Sequence, residues 1–166
     1  SIKSDTYDIS TYTEKLIDFI LKLTYNRPNK KVIIIGYGIG GIIGCNTGIK
    51  ITEKVKAIIT LNSPFDGIQI NTFTRIFGYG MTYKMQKQLK YGSGFLKCLV
   101  DNIKILDVDN KIKLYNIGRY VTDKINPSII TLNNERVFID HNSYKSIIIT
   151  NKIFDKLRAW LSDIDS

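Results

Sequence analysis

The stretch KKVIIIGYGIGGIIG, from Lys30 to Gly44, places four β-branched residues directly before a run of glycines. This order predicts a buried strand over 31–36, a tight turn, and a helix over 39–50. Glycines at such a turn serve two different purposes in proteins. They let backbone N–H groups approach a dinucleotide phosphate, or they flank a catalytic nucleophile at the tip of the turn. Here the tip is Gly38, which has no side chain.

The rest of the chain continues the alternation of strands and helices. Its 166 residues, 43% hydrophobic and 23% charged, predict one globular domain over 1–166. Thr11 and Glu14 resemble a capping box at the start of the first helix. The predicted class is α/β, a mostly parallel sheet of about four strands flanked by helices. The patterns predict further strands at 55–64, 111–120 and 136–142, helices at 11–25 and 149–164, and a mostly helical, lid-like excursion at 68–107 with a loop at 91–94.

Composition narrows the function classes. The formal charge is +9, but the lysines are scattered along the chain and form no cluster of about five to eight basic residues, which favours a solvated basic surface over a nucleic-acid-binding stripe. An RNA-associated subunit remains the weaker alternative. Cys45 and Cys98 have no paired spacing, so we expect neither a zinc site nor a disulfide framework, and a reducing compartment is favoured. There is no apolar run of about 18 residues, so a soluble protein is expected. We also expect no cofactor and no metal.

The first interpretation of the glycine turn is a dinucleotide site. Gly36, Gly38 and Gly41 satisfy the pattern G-x-G-x-x-G after a strand. The confirming feature is an acidic residue about 20 positions further on, at the end of the next strand. That strand ends in Thr-Leu-Asn, and Asp66 comes too late. The pattern alone is weak, and this interpretation stays as an alternative.

The second interpretation is a nucleophile elbow, G-x-S-x-G, with Gly36 and Gly40 as its flanking glycines and Gly38 at its tip. The flanking glycines are required because the sharp strand-to-helix turn crowds its neighbours. An acid after a later strand and a histidine after the last strand should follow in that order. Asp123 follows the third predicted strand, and His141, the only histidine, follows the fourth.

Five segments resemble the α/β-hydrolase family, specifically its small lipases and esterases. They follow the family's order, and they are GYGIGG, TLNSPFDG, YGSGFLKCL, VTDKINP and DHNSYKSIIITNKIFDKLRAWL. The resemblance as a whole covers about residues 10–162. The resemblance implies that Asp123 is the acid of a catalytic triad and His141 its base. It also implies that the backbone N–H of Ile39 is a donor of the oxyanion hole.

Two departures from the family pattern decide the predicted function. Glycine occupies position 38, where the family has its nucleophilic serine. Only 35 residues precede Gly36, so we expect an N-terminally truncated version of the fold without the family's early strands and H-G loop. The predicted function is a degenerate hydrolase that acts as a non-catalytic binding or structural subunit. Another protein chain or a second copy would cover the exposed sheet edge, and a lipid or acyl group is the expected ligand.

The main alternative is an active acyl-ester hydrolase, with an unrecognised nucleophile or with Gly38 introduced by engineering. Ser63 and Cys45 are the candidate substitutes, although Ser63 is expected to be a turn residue and Cys45 a packed one. Tyr37 is expected to pack beside the elbow. Four aromatic residues of the excursion would line a lid or pocket in a lipase, or else form the apolar face of short helices: Phe73, Phe77, Tyr79 and Tyr83.

Overall fold

The computed structural model describes residues 7–68, 81–109, 111–119, 136–139 and 151–165. Within these ranges, four strands form one sheet in chain order, and every neighbouring pair is parallel. This confirms the predicted α/β class with a parallel sheet flanked by helices. The strands are β1 (Val32–Tyr37), β2 (Val55–Leu61), β3 (Lys113–Arg119) and β4 (Arg136–Ile139). The helices are α1 (Ile9–Thr24), α2 (Ile39–Lys50), α3 (Tyr83–Leu89), α4 (Gly94–Val108) and α5 (Asn151–Asp165), with a 3₁₀ turn at Thr52–Lys54.

Helices cover both faces of the sheet. One face packs on α1, α2 and α4 around a large apolar cluster. The other face packs on α5, where the Trp160 ring stacks on Tyr115 with ring centroids 4.8 Å apart. Because β2 is covered on both sides, its residues form an almost continuous apolar run, as expected of a strand inside a parallel sheet.

The start of α1 differs from its prediction. The helix begins at Ile9, and its N-cap is Asp8 rather than Thr11. The Asp8 carboxylate accepts a hydrogen bond from the backbone N–H of Thr11 at 2.8 Å, and the Thr11 hydroxyl accepts one from the backbone N–H of Asp8. The capping box therefore pairs Asp8 with Thr11. Aspartate is the better N-cap of the two candidates, and its position adds a half-turn to the helix.

Glycines within α2 allow the helix to lie close to the sheet. A Cβ added to Gly44 would lie 2.8 Å from Cγ2 of Ile34, and one added to Gly48 would lie 2.5 Å from Cδ1 of Ile58. Larger residues at these two positions would push the helix off the sheet.

The excursion between β2 and β3 is helical where it is described. It contains α3 and α4, joined by a loop at the predicted position, and the Ser93 hydroxyl accepts the N–H of Leu96 at the start of α4. Residues 69–80 lie outside the described residues, so the lid-like role stays a prediction. The same holds for Phe73, Phe77 and Tyr79, whereas Tyr83 begins α3 and is exposed.

Candidate functional site

The turn between β1 and α2 consists of a single residue. Gly38 stands between Tyr37, the last residue of β1, and Ile39, the first residue of α2. Its backbone has φ +55° and ψ −123°, its N–H donates to the carbonyl of Leu61 at 2.9 Å, and its carbonyl accepts from Gly41 at 3.2 Å. A sharp strand-to-helix turn at the carboxyl edge of a sheet is the geometry of a nucleophile elbow.

Two glycines are needed for this turn, and one of them differs from the prediction. A Cβ on Gly36 would lie 2.5 Å from both Cα and N of Gly41, so the strand and the helix touch there through backbone. A Cβ on Gly41 would lie 2.0 Å from Oγ of Ser63. A Cβ on Gly40 would meet nothing within 4 Å, so the crowding expected at Gly40 falls on Gly41 instead. The reason is rotation along α2, which turns position 41 rather than position 40 toward the sheet.

The tip of the elbow has room for a side chain. A Cβ built on Gly38 would meet nothing within 4 Å, although the positive φ strains any residue other than glycine. The geometry at position 38 is therefore that of an elbow, and the residue present there supplies only backbone.

The backbone N–H of Ile39 is the other group that the elbow offers. Ile39 is the first residue of α2, where N–H groups have no acceptor within the helix. Its N–H donates to no acceptor in the described part of the chain. The N-terminal end of a helix also carries partial positive charge. These features suit the oxyanion-type donor that the sequence assigns to Ile39, and that assignment remains a prediction.

The end of β2 contributes polar groups that the sequence analysis did not single out. Asn62 adopts φ +51°, is 4% exposed, and donates its N–H to the carbonyl of Ile117 at 2.7 Å. Burial raises the pKa of Tyr37, and the neighbouring Asn62 side chain opposes the rise. The Asn62 amide nitrogen is itself buried without a hydrogen-bond partner in the described part of the chain. Tyr37 lies beside the elbow as expected, next to the end of the neighbouring strand. The available signal was an asparagine at the point where a strand must turn, since asparagine tolerates positive φ.

Neither candidate substitute is placed as a nucleophile. Ser63 is 0% exposed, and its hydroxyl is packed against Gly41 with no hydrogen-bond partner in the described part of the chain. Cys45 is buried inside α2, and burial raises the pKa of its thiol to about 12. A thiol with such a pKa stays protonated at neutral pH and is a poor nucleophile.

The predicted acid and base, Asp123 and His141, lie outside the described residues. Their positions in the chain follow the ends of β3 at Arg119 and β4 at Ile139. In the sheet Tyr37 pairs with Leu61, Leu61 with Ile117, and Ile117 with Val137. The four strands therefore end at one edge of the sheet, the edge that carries Gly38.

The described ranges contain no group of three or more His, Cys, Asp or Glu side chains placed to hold a metal ion. They also contain no helix with the length and apolarity needed to cross a bilayer.

Comparison with known proteins points to one family and one fold. Residues 6–149 match the family model described as "PGAP1-like alpha/beta domain". No curated protein sequence matches the chain. Among solved structures, the chain is similar to the Bacillus licheniformis lipase BlEst2 in mature form, at 21% identity and a TM-score of 0.51, over 67% of this chain and 48% of that one.

A second similar structure comes from a study of carboxylesterases of the ammonia-oxidizing thaumarchaeon Nitrososphaera gargenis. It has 16% identity and a TM-score of 0.59, over 98% of this chain and 75% of that one. This chain thus spans about half the length of the mature lipase and three quarters of the archaeal protein. At these identities the structural neighbours establish the fold alone. None of these findings supports the dinucleotide-binding alternative. Because the family model covers most of its residues, the chain belongs to the family of PGAP1-like alpha/beta domains, and it shares its fold with these lipase and carboxylesterase structures.

Proposed function

We propose that this domain is a lipase- or esterase-like α/β-hydrolase that no longer hydrolyses esters and acts as a binding or structural subunit. The observation that carries the proposal is the residue at the tip of the elbow, Gly38, in the φ +55° conformation between β1 and α2. A lipid or acyl group is the proposed ligand, bound beside the elbow without being cleaved.

The chemical argument rests on the missing side-chain atom. Acyl transfer by this class of enzyme begins with attack by a serine hydroxyl that a histidine deprotonates. Losing the serine of such a triad lowers turnover by roughly a factor of 10⁶. The buried Ser63 and the protonated Cys45 thiol do not supply a replacement. His141, wherever it lies, then has no hydroxyl at the tip to deprotonate.

Glycine also suits position 38 better than serine does when no chemistry is required. A residue other than glycine at positive φ is strained by about 1–3 kcal/mol. An enzyme tolerates that strain because the turn presents its nucleophile. Once catalysis is lost, replacement by glycine relieves the strain, so glycine supports the proposed loss of function.

The alternative that a specific observation favours is an acyl-ester hydrolase in which Gly38 has replaced a native serine by engineering. The open space around a Cβ at position 38 would accept that serine without a clash. This alternative differs from the proposal in requiring a serine at position 38 of the native protein.

The test compares cleavage of p-nitrophenyl butyrate by the unmodified protein, by Gly38→Ser and by Gly38→Ser combined with His141→Ala. We expect the unmodified protein to match the buffer rate. We expect Gly38→Ser to gain activity that the second substitution removes. Gly40→Ser is the matched control, because it adds the same side chain in open space two residues away. Activity of the unmodified protein that His141→Ala abolishes would refute the proposal.

We also propose that another protein chain, or a second copy of this one, covers the free side of β1. In the described sheet β1 pairs only with β2, and Ile35 on this strand is 50% exposed. Unpaired strand edges with apolar residues favour pairing with another chain. Light scattering after gel filtration tests the proposal. A mass of 19.0 kDa at every concentration would exclude the second copy and leave a different chain as the partner.

A further inference from the structure

A cleft separate from the elbow lies between the loop that follows β2 and the first three turns of α4. Its volume is about 510 Å³. None of its lining residues belongs to the elbow. The lining combines an apolar floor with a charged rim and consists of Phe65, Asp66, Tyr91, Gly92, Ser93, Leu96, Lys97, Val100, Asp101 and Lys104.

Backbone contacts between two loops build this cleft. Ile68 and Lys90 form an isolated parallel bridge that joins the loop after β2 to the end of α3. Gly67, at φ +94°, sits so close that an added Cβ would lie 2.6 Å from Cα of Tyr91. The N–H of Gly92 donates to the carbonyl of Asp66 at 3.3 Å. The walls are therefore fixed by main-chain geometry as well as by side-chain packing.

The rim carries four charges of alternating sign. Lys97, Asp101 and Lys104 follow one another along one face of α4, and Asp66 faces Lys104 from the opposite loop. None of the four forms an ion pair within 4.0 Å in the part of the chain that the structure describes. Burial raises the pKa of Asp66, and the charge of Lys104 opposes that rise.

The floor of the cleft is apolar. The Phe65 and Leu96 side chains are buried, and Val100 is partly buried beside them. Cavities that combine an apolar floor with a few placed polar groups are the usual form of small-molecule sites. A molecule with one charge could pair only with the carboxylates or only with the ammonium groups of the rim. A molecule that carries both charges satisfies both sets.

We propose that this cleft binds a small zwitterionic amphiphile of the phosphocholine type. Its apolar part lies on Phe65 and Leu96, its cationic group lies near Asp66 and Asp101, and its anionic group lies near the two lysines. The proposal does not depend on the chemistry of the elbow, because no residue of the elbow lines the cleft.

The test measures amide chemical shifts of the ¹⁵N-labelled protein during titration. The probes are dodecylphosphocholine below its micelle concentration, glycerophosphocholine, and the uncharged detergent dodecyl maltoside. We expect dodecylphosphocholine to shift the amides of Gly92, Ser93 and Leu96 and to bind at least tenfold more tightly than the maltoside. Tighter binding of dodecylphosphocholine than of glycerophosphocholine would support the proposed contact of the apolar part with Phe65 and Leu96. Equal binding of the two would show that the apolar part contributes nothing and would overturn the proposal of an amphiphile.

Variants of the rim give the second measurement. Asp66→Asn and Lys97→Met should each weaken dodecylphosphocholine binding by about three- to tenfold, the usual range for a partly exposed charge contact. Asp18→Asn and Lys22→Met, which remove exposed charges from α1, are the matched controls and should leave the affinity unchanged. No shift at the three amides, or equal affinity in both rim variants and controls, would overturn the proposal.

Discussion

Alanine substitutions at three glycines of the elbow separate the physical demands that this turn makes. At Gly36 the structure requires close approach of two backbones, and at Gly38 it requires a positive φ. At Gly40 it requires neither, since an added Cβ meets open space. One methyl group at each position therefore measures each demand separately within the same turn.

The expected effects differ in sign as well as in size. Gly40→Ala lies in the first turn of α2 and should raise the free energy of unfolding by about 0.5–1 kcal/mol, because alanine favours the helix. Gly38→Ala should lower it by about 1–2 kcal/mol. The strain of alanine at positive φ exceeds the stabilisation that alanine gives by reducing the conformational entropy of the unfolded chain. Gly36→Ala should lower the free energy of unfolding by about 3 kcal/mol or more, because its Cβ would lie 2.5 Å from the backbone of Gly41 and α2 must move.

Urea unfolding followed by far-ultraviolet circular dichroism measures all three differences. The midpoint and slope give the free energy of unfolding in water, and unchanged slopes would show that the variants share one folded state. The order of stability should be Gly40→Ala, then the unmodified protein, then Gly38→Ala, and last Gly36→Ala. The reasoning is refuted if Gly40→Ala is the least stable of the three, or if Gly36→Ala unfolds at the same urea concentration as the unmodified protein.

Two further predictions concern groups outside the elbow. In native protein at pH 8, Ellman's reagent should modify the exposed Cys98 and spare the buried Cys45, whose thiol has a pKa of about 12. Both thiols should react in urea. Rapid labelling of two thiols in the native protein would contradict the packing of α2. Asp8→Ala should lower stability at pH 7 by about 1 kcal/mol, because it removes the N-cap of α1. The backbone N–H of Thr11 holds the pKa of Asp8 below its ordinary value, so this stabilisation is present above pH ~4 and should fade as the pH falls further. Asp8→Asn, which retains a capping oxygen without a charge, is the control and should show no such fading.

Much of the fold could be predicted because its signals are local. The β-branched run before Gly38 marks β1, and the helix predicted at 39–50 has the observed bounds of α2. A buried parallel strand needs apolar residues on both faces, and such a continuous apolar run can be recognised in the sequence itself. The start of α1 was predicted less well, since Asp8 and Thr11 both have side chains suited to a cap and only the backbone geometry chooses between them.

The site could be predicted where it depends on the spacing of residues along the chain. It could not be predicted where residues distant in the sequence come into contact in the fold. The position of the tip follows from the motif itself. The need for glycine at position 41 arises from Ser63, which is 22 positions away and meets α2 only after the sheet has formed. The proximity of Tyr37 and Asn62 likewise depends on bringing together the ends of two strands. The cleft beside α4 depends on loop contacts at Gly67, which no pattern in the sequence marks.

The contacts that hold the elbow in shape do not involve a side chain at its tip. The backbone touch between Gly36 and Gly41 fixes the angle at which α2 leaves β1, and the N–H of Gly38 is fixed by the carbonyl of Leu61. Both contacts would be the same with serine or glycine at position 38. A lineage could therefore exchange that residue without unfolding the turn, and the exchange would even relieve strain. The shape of this elbow therefore does not depend on the residue at its tip, whereas hydrolysis depends on a single hydroxyl group. For that reason the Gly38→Ser variant, with His141 present and then removed, is the measurement that connects this fold to a function.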